Sequence, residues 1–110
     1  MAEEDSLQVT IEDDGPWRIA HASGEVNLTT ASDFRDRLFR ALEAKRPLKV
    51  RLAEVSFIDS SGMAALVRAY KRAQELGLSM VLTEPSEAVS SVLELTKLTS
   101  LFSIETGQET

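Results

Sequence analysis

The sequence predicts an α/β fold: a mixed β-sheet with an N-terminal antiparallel hairpin and parallel βαβ units, and three to four helices packed on it. Three observations carry this. Two segments with alternating apolar residues, joined by a turn, open the chain. Three segments with apolar residues at helical spacing follow, and short strand-like runs stand between them. Where a helix connects two strands of one sheet, those strands run parallel, so the order strand–strand–helix–strand–helix–strand–helix–(strand) specifies most of the topology.

In the first strand Leu7, Val9 and Ile11 alternate with Gln8, Thr10 and Glu12. Asp13-Asp14-Gly15-Pro16 is a turn by composition, and Trp17, Ile19 and His21 or Ala22 resume the alternation. Gly24-Glu25-Val26-Asn27-Leu28-Thr29-Thr30 ends the hairpin, with Thr29 or Thr30 expected as the N-cap of a helix starting at Ala31. That helix is expected to run to about Lys45. Its inner face carries Phe34, Leu38, Ala41 and Leu42, and its outer face a mixture of arginines and carboxylates.

Pro47 stops the helix, and Leu48–Leu52 forms a third strand. Its apolar residues alternate with Lys49 and Arg51, which predicts one incompletely covered sheet face and helices gathered largely on the other. A second helix ends near Gly77, and Leu78–Leu82 is a fourth, more buried strand. Pro85-Ser86 opens a third helix with Ala88, Val89, Val92, Leu93 and Leu95 facing inward. Leu98–Ile104 supplies a last helical turn and an edge strand, with fraying expected from Gly107.

The chain is organised around Val55–Val67. An apolar approach runs into Asp59-Ser60-Ser61-Gly62, and Met63, Leu66, Val67 and Tyr70 then fall on one helix face. Asp and Ser cap helices because their side-chain oxygens accept the unpaired N–H groups of a first turn. Capping alone accounts for them. Three capping residues in a row, with a glycine just inside the helix, nevertheless exceed what one cap requires. The segment presents two hydroxyls where unpaired N–H groups and the positive end of the helix dipole collect, a natural seat for a phosphate. Met63 is either a docking anchor or core, since it shares the face of Leu66, Val67 and Tyr70.

Composition removes several functional classes. The 110 residues predict one domain, 1–110, with an ordered core of about 7–104. Eighteen acidic against twelve basic residues give a net charge of −6, which argues against a general nucleic-acid binder and against anionic membranes. Without cysteine there is no thiolate chemistry, and the single His21 cannot build a histidine-rich metal site. The acidic N-terminus lacks signal-peptide features, and no apolar run approaches the roughly 20 residues of a membrane helix, so a cytoplasmic location is expected. No Gly-x-Ser-x-Gly, Gly-x-Gly-x-x-Gly or phosphate-cradling Gly-x-x-x-x-Gly-Lys pattern occurs, and His21 lies in a strand. No enzyme, cofactor or metal is expected.

Phe57-Ile58-Asp59-Ser60-Ser61-Gly62-Met63, midway along the chain, resembles the signature of the STAS domain (sulfate transporter and anti-sigma factor antagonist), and more narrowly the small free-standing bacterial anti-sigma factor antagonists. Gly24-Glu25-Val26, Gly77–Leu82, Pro85–Val89 and the Leu93–Ile104 segment extend the resemblance over about Leu7–Ile104. It implies that Ser60 is phosphorylated by the anti-sigma factor, a GHKL-type serine kinase. It also implies that the unphosphorylated protein binds that kinase and releases its sigma factor, and that a metal-dependent serine phosphatase resets the cycle. The docking surface is expected around Asn27, Asp59, Ser60, Ser61, Gly62 and Met63, with Gly62 letting a partner backbone approach. The alternative implied by the family is a regulatory subunit of an ABC transporter or of a stress-sensing complex. Two positions depart from the family pattern: Asn27 stands where an aspartate is frequent, and Lys97 where a glycine is common.

Overall fold

The structure, a computed structural model, describes residues 6–106; the acidic Glu3-Glu4-Asp5 cluster and the fraying expected from Gly107 lie outside the described residues. Alternating segments at the start pair as predicted, with β1 (Gln8–Asp14) antiparallel to β2 (Trp17–Val26). Gly15 takes φ +60° in the turn between them, a conformation that suits a residue without Cβ. Asp13 anchors the turn: the hydrogen bond from Arg18 holds its carboxyl below the usual carboxylate range against the opposing effect of desolvation, and the nearby Arg46 guanidinium adds to it.

Helix α1 (Ala31–Leu42) buries the four residues its periodicity selects, Phe34, Leu38, Ala41 and Leu42. It ends three residues before the expected Lys45, because Lys45 itself takes φ +60° and turns the chain toward Pro47. Strand β3 is longer than its expected Leu48–Leu52 core and runs without interruption from Leu48 to Ile58. It delivers the chain directly to α2 (Ser60–Glu75), which closes with Leu76 at the C-cap and Gly77 at φ +72°. Strand β4 (Met80–Thr83) is buried along its length. Helix α3 (Glu87–Thr96), a 3₁₀ turn (Leu98–Ser100) and β5 (Ser103–Glu105) complete the chain.

The sheet order is β1-β2-β3-β4-β5, antiparallel only at the hairpin and parallel elsewhere. Register aligns Ala20, Val50, Leu82 and Ile104 across one face, and His21, Arg51, Thr83 and Glu105 across the other. The first row belongs to one core with Phe34 and Leu38 of α1, Leu66 and Ala69 of α2, and Val89 and Leu93 of α3. Among the described residues, no helix covers the second row, in which Thr83 alone is buried, and the charges on that face are paired. Lys49 pairs with Glu105 and lies 4.8 Å from the centre of the Trp17 ring, Arg51 bonds Glu84 at 2.9 Å, and His21 bonds Glu12.

One detail of α3 corrects the sequence reading, and another bears on the departure at Lys97. Leu95, expected to face inward, is 81% exposed, because only Val89 and Leu93 of this helix are buried. Lys97 keeps the conformation that a glycine would supply: it caps α3 at φ 62°, ψ 28°, in the left-handed region. A side chain there costs energy that glycine avoids, partly offset by glycine's greater freedom in the unfolded chain. Lys97→Gly is therefore expected to stabilise the domain by about 0.5–1 kcal/mol, read as a higher urea midpoint at unchanged slope. A lower midpoint would contradict this account.

Candidate functional site

The site forms where β2 and β3 end and α2 begins. Ile58 closes β3 with its side chain in the core, and Asp59 follows in an extended conformation as the N-cap of α2. The Asp59 carboxylate accepts the Gly62 N–H at 3.1 Å, while its own N–H donates to the Val26 carbonyl at 3.2 Å. One residue thus caps the helix and ties its start to the neighbouring strand. Ser60 and Ser61 become the first two helical residues. Ser60 is exposed and Ser61 half-buried. With capping left to Asp59, the Ser60 hydroxyl stands at the positive end of the α2 dipole.

Gly62 and Met63 both lie inside the fold, which for Met63 is the second of its two expected placements. Both are buried, Met63 to 2% exposure. A Cβ on Gly62 would lie 2.6 Å from Ile58 Cγ1 and 2.8 Å from both Val26 Cγ1 and the Val26 carbonyl oxygen. The close approach that this glycine permits is therefore made by its own chain and not by a partner. Met63 belongs to the core and floors a groove; it does not project as an anchor.

Asn27 has a structural task beside the site. Its Oδ1 accepts the backbone N–H groups of Thr29 (2.9 Å) and Thr30 (3.2 Å), folding the loop into α1. Thr30 occupies the N-cap position of α1 without a side-chain capping bond. Its hydroxyl accepts the Asn27 N–H and donates to the Glu25 carbonyl, each at 2.9 Å. The same turn leaves Leu28 81% exposed.

Two grooves flank the first turns of α2. A groove of about 680 Å³ lies between α2 and the 3₁₀ turn, walled by Ser60, Ala64, Val67, Arg68, Lys71 and Leu98. A smaller one between α1 and α2 joins Leu28, Arg35, Ser61 and Arg68. Among the described residues, neither Arg68 nor Lys71 has an ion-pair partner. The signal for the larger groove was present in the sequence: Ser60, Ala64, Arg68 and Lys71 recur at i, i+4, i+8 and i+11, one outer stripe of α2.

Nothing in the site resembles an activated nucleophile. Asp59 is engaged in capping, and His21 sits with Glu12 on the uncovered face of the sheet, opposite the helices. Among the described residues, no group of three or more His, Cys, Asp or Glu could hold a metal ion, and no helix is long and apolar enough to cross a membrane.

A family model described as the STAS domain matches residues 8–109. The anti-sigma-B factor antagonist of Bacillus subtilis (strain 168) is 28% identical over 87 residues, covering 79% of this chain and 80% of that one. The crystal structure of an anti-sigma factor antagonist from Mycobacterium paratuberculosis superposes with a TM-score of 0.80 at 23% identity, over 92% of this chain and 86% of the other. SpoIIAA, an anti-sigma factor antagonist solved in its unphosphorylated form, superposes at 0.70 with 17% identity, over 90% and 87%. The Bacillus SpoIIAA structure in the phosphorylated form superposes at 0.65 with 16% identity, over 90% of each chain.

Proposed function

The chain belongs to the STAS domain family, and on that premise we propose that it is an anti-sigma factor antagonist switched by phosphorylation of Ser60. In this reading the unphosphorylated protein binds an anti-sigma factor serine kinase of the GHKL type and displaces its sigma factor. The kinase phosphorylates Ser60 and lets go, and a metal-dependent serine phosphatase restores the binding form. The observation that carries the proposal is the division of labour at the start of α2: Asp59 makes the cap, and the exposed Ser60 is left available beside it.

The chemistry follows from that arrangement. Activation of the hydroxyl falls to the kinase, since the one adjacent carboxylate is already bonded to the Gly62 N–H. Once attached, phosphate adds about −1.5 to −2 charges at a helix N-terminus, where the dipole favours them. The folded domain therefore tolerates the modification, while a partner surface packed against Ser60 does not. Asp59, Ser61 and Asn27 shape the surface around the phosphoacceptor, and Leu28 adds an exposed apolar contact to it.

The test is to incubate the purified protein with the anti-sigma factor kinase of its own cell and ATP. Phosphopeptide mapping is expected to place the phosphate on Ser60, and the modified protein to lose its affinity for the kinase. Phosphate found mainly on Ser61, or equal affinity before and after modification, would overturn the proposal.

A further inference from the structure

An exposed apolar groove needs an occupant, and the charges around this one identify its chemistry. The chain carries a net charge of −6, yet the wall of the α2 groove is cationic, with Arg68 and Lys71 both unpaired among the described residues. The cations on the uncovered sheet face are in a different situation. Lys49 and Arg51 each have a carboxylate partner within the chain. The groove beside Ser60 combines an apolar lining, from Ala64, Val67 and Leu98, with two cations that lack an internal partner among the described residues.

We infer that this groove seats an acidic amphipathic segment of the kinase, its apolar side on Ala64, Val67 and Leu98 and its carboxylates on Arg68 and Lys71; the inference rests on the antagonist reading above. Helical spacing fits such a guest. Ala64, Arg68 and Lys71 stand at i, i+4 and i+7 of α2, so an apolar position and then two cations follow one another along the groove at about one helical turn each. Ser60 lies at the mouth of the same groove. A phosphate there brings a dianion against the guest carboxylates and also competes with them for the groove cations. Phosphorylation then acts as charge exclusion: it reverses the local potential that attracted the partner, without a change in fold.

The experiment titrates the purified anti-sigma factor kinase of the same cell, with ADP, against four forms of the full chain: wild type, Ser60→Asp, Arg68→Glu/Lys71→Glu and Arg68→Lys/Lys71→Arg. The charge-reversed form is expected to bind roughly 10-fold or more weakly at an unchanged melting temperature, with the conservative form close to wild type. Wild-type binding is expected to weaken as salt rises, and binding of the reversed form much less so. A photo-crosslinking residue in place of the exposed Ala64 is expected to label a kinase segment carrying two or more carboxylates. Changing those carboxylates to lysine is expected to restore binding to the charge-reversed form. Affinity of the reversed form within about twofold of wild type, or a label on a basic segment, overturns the inference. If Ser60→Asp weakens binding in that case, the antagonist reading stands without the groove. If the kinase binds no form, the antagonist reading falls and takes the inference with it.

Discussion

Gly62→Ala is expected to destabilise the domain by about 1–3 kcal/mol and to lower its melting temperature by roughly 10 °C. A methyl group at this position would lie 2.6 Å from Ile58 Cγ1 and 2.8 Å from Val26 Cγ1, and those side chains can give way a little. The third neighbour cannot. The Val26 carbonyl oxygen, also at 2.8 Å, accepts the Asp59 N–H that fixes the start of α2. Moving the helix away from the methyl stretches that bond and shifts the capping carboxylate. Alanine's better helix propensity returns about 1 kcal/mol, so the net effect is smaller than the clash alone. Thermal melts of the two proteins decide the point, and an unchanged or higher midpoint would refute the packing account. Phosphorylation of Ser60 in the variant is expected to slow as well, because the hydroxyl rides on the displaced first turn.

Ser60→Asp is expected to weaken kinase binding roughly 30-fold or more, about 2 kcal/mol, while Ser60→Ala binds like wild type. Both variants are expected to fold, because the cap belongs to Asp59 and neither substitution touches it. Aspartate at the first helical position is favoured by the dipole, so lost affinity in that variant cannot be assigned to an unstable helix. Ser60→Ala isolates the other half of the switch, since it removes the phosphoacceptor and leaves the surface uncharged. Calorimetric titrations of the two against the kinase are the measurement. Equal affinities would rule out a switch that works through charge at this position.

Much of this architecture was legible because it rests on local periodicity. The stripe of Phe34, Leu38, Ala41 and Leu42 is buried as its spacing requires, and the alternation of Lys49 and Arg51 with Leu48, Val50 and Leu52 marked the uncovered sheet face. Gly15 and Gly77 sit at the positive φ values that their turns demand. Misread positions depend on distant neighbours. Gly62 looks in the sequence like an opening for a partner; its actual neighbour is Val26, a residue on another strand that no local pattern brings near. Thr30 is the N-cap of α1 as its position suggested, but it makes no side-chain capping bond, because its hydroxyl is taken by the Asn27 N–H and the Glu25 carbonyl. Leu95 satisfies a helical stripe in a helix too short to bury all of it. The groove beside Ser60 needed the 3₁₀ turn as its second wall, and Leu98 is more than thirty positions from Ser60 in the sequence.

Strand order in the sheet follows chain order from β1 to β5, and this bears on how the domain forms. Each strand docks on the one made just before it, so no pairing has to wait for a later segment to insert between two earlier ones. The loops to be closed are a hairpin turn and single helical crossovers, the shortest that a mostly parallel sheet permits, and their entropic cost grows only logarithmically with length. As the chain leaves the ribosome the sheet can extend edge by edge. The phosphoacceptor corner, built from the ends of β2 and β3 and the first turn of α2, is complete once Glu75 has emerged. The 3₁₀ turn that walls the groove comes later, between α3 and β5. The part of the surface that carries the chemical signal is thus assembled before the part that receives the guest.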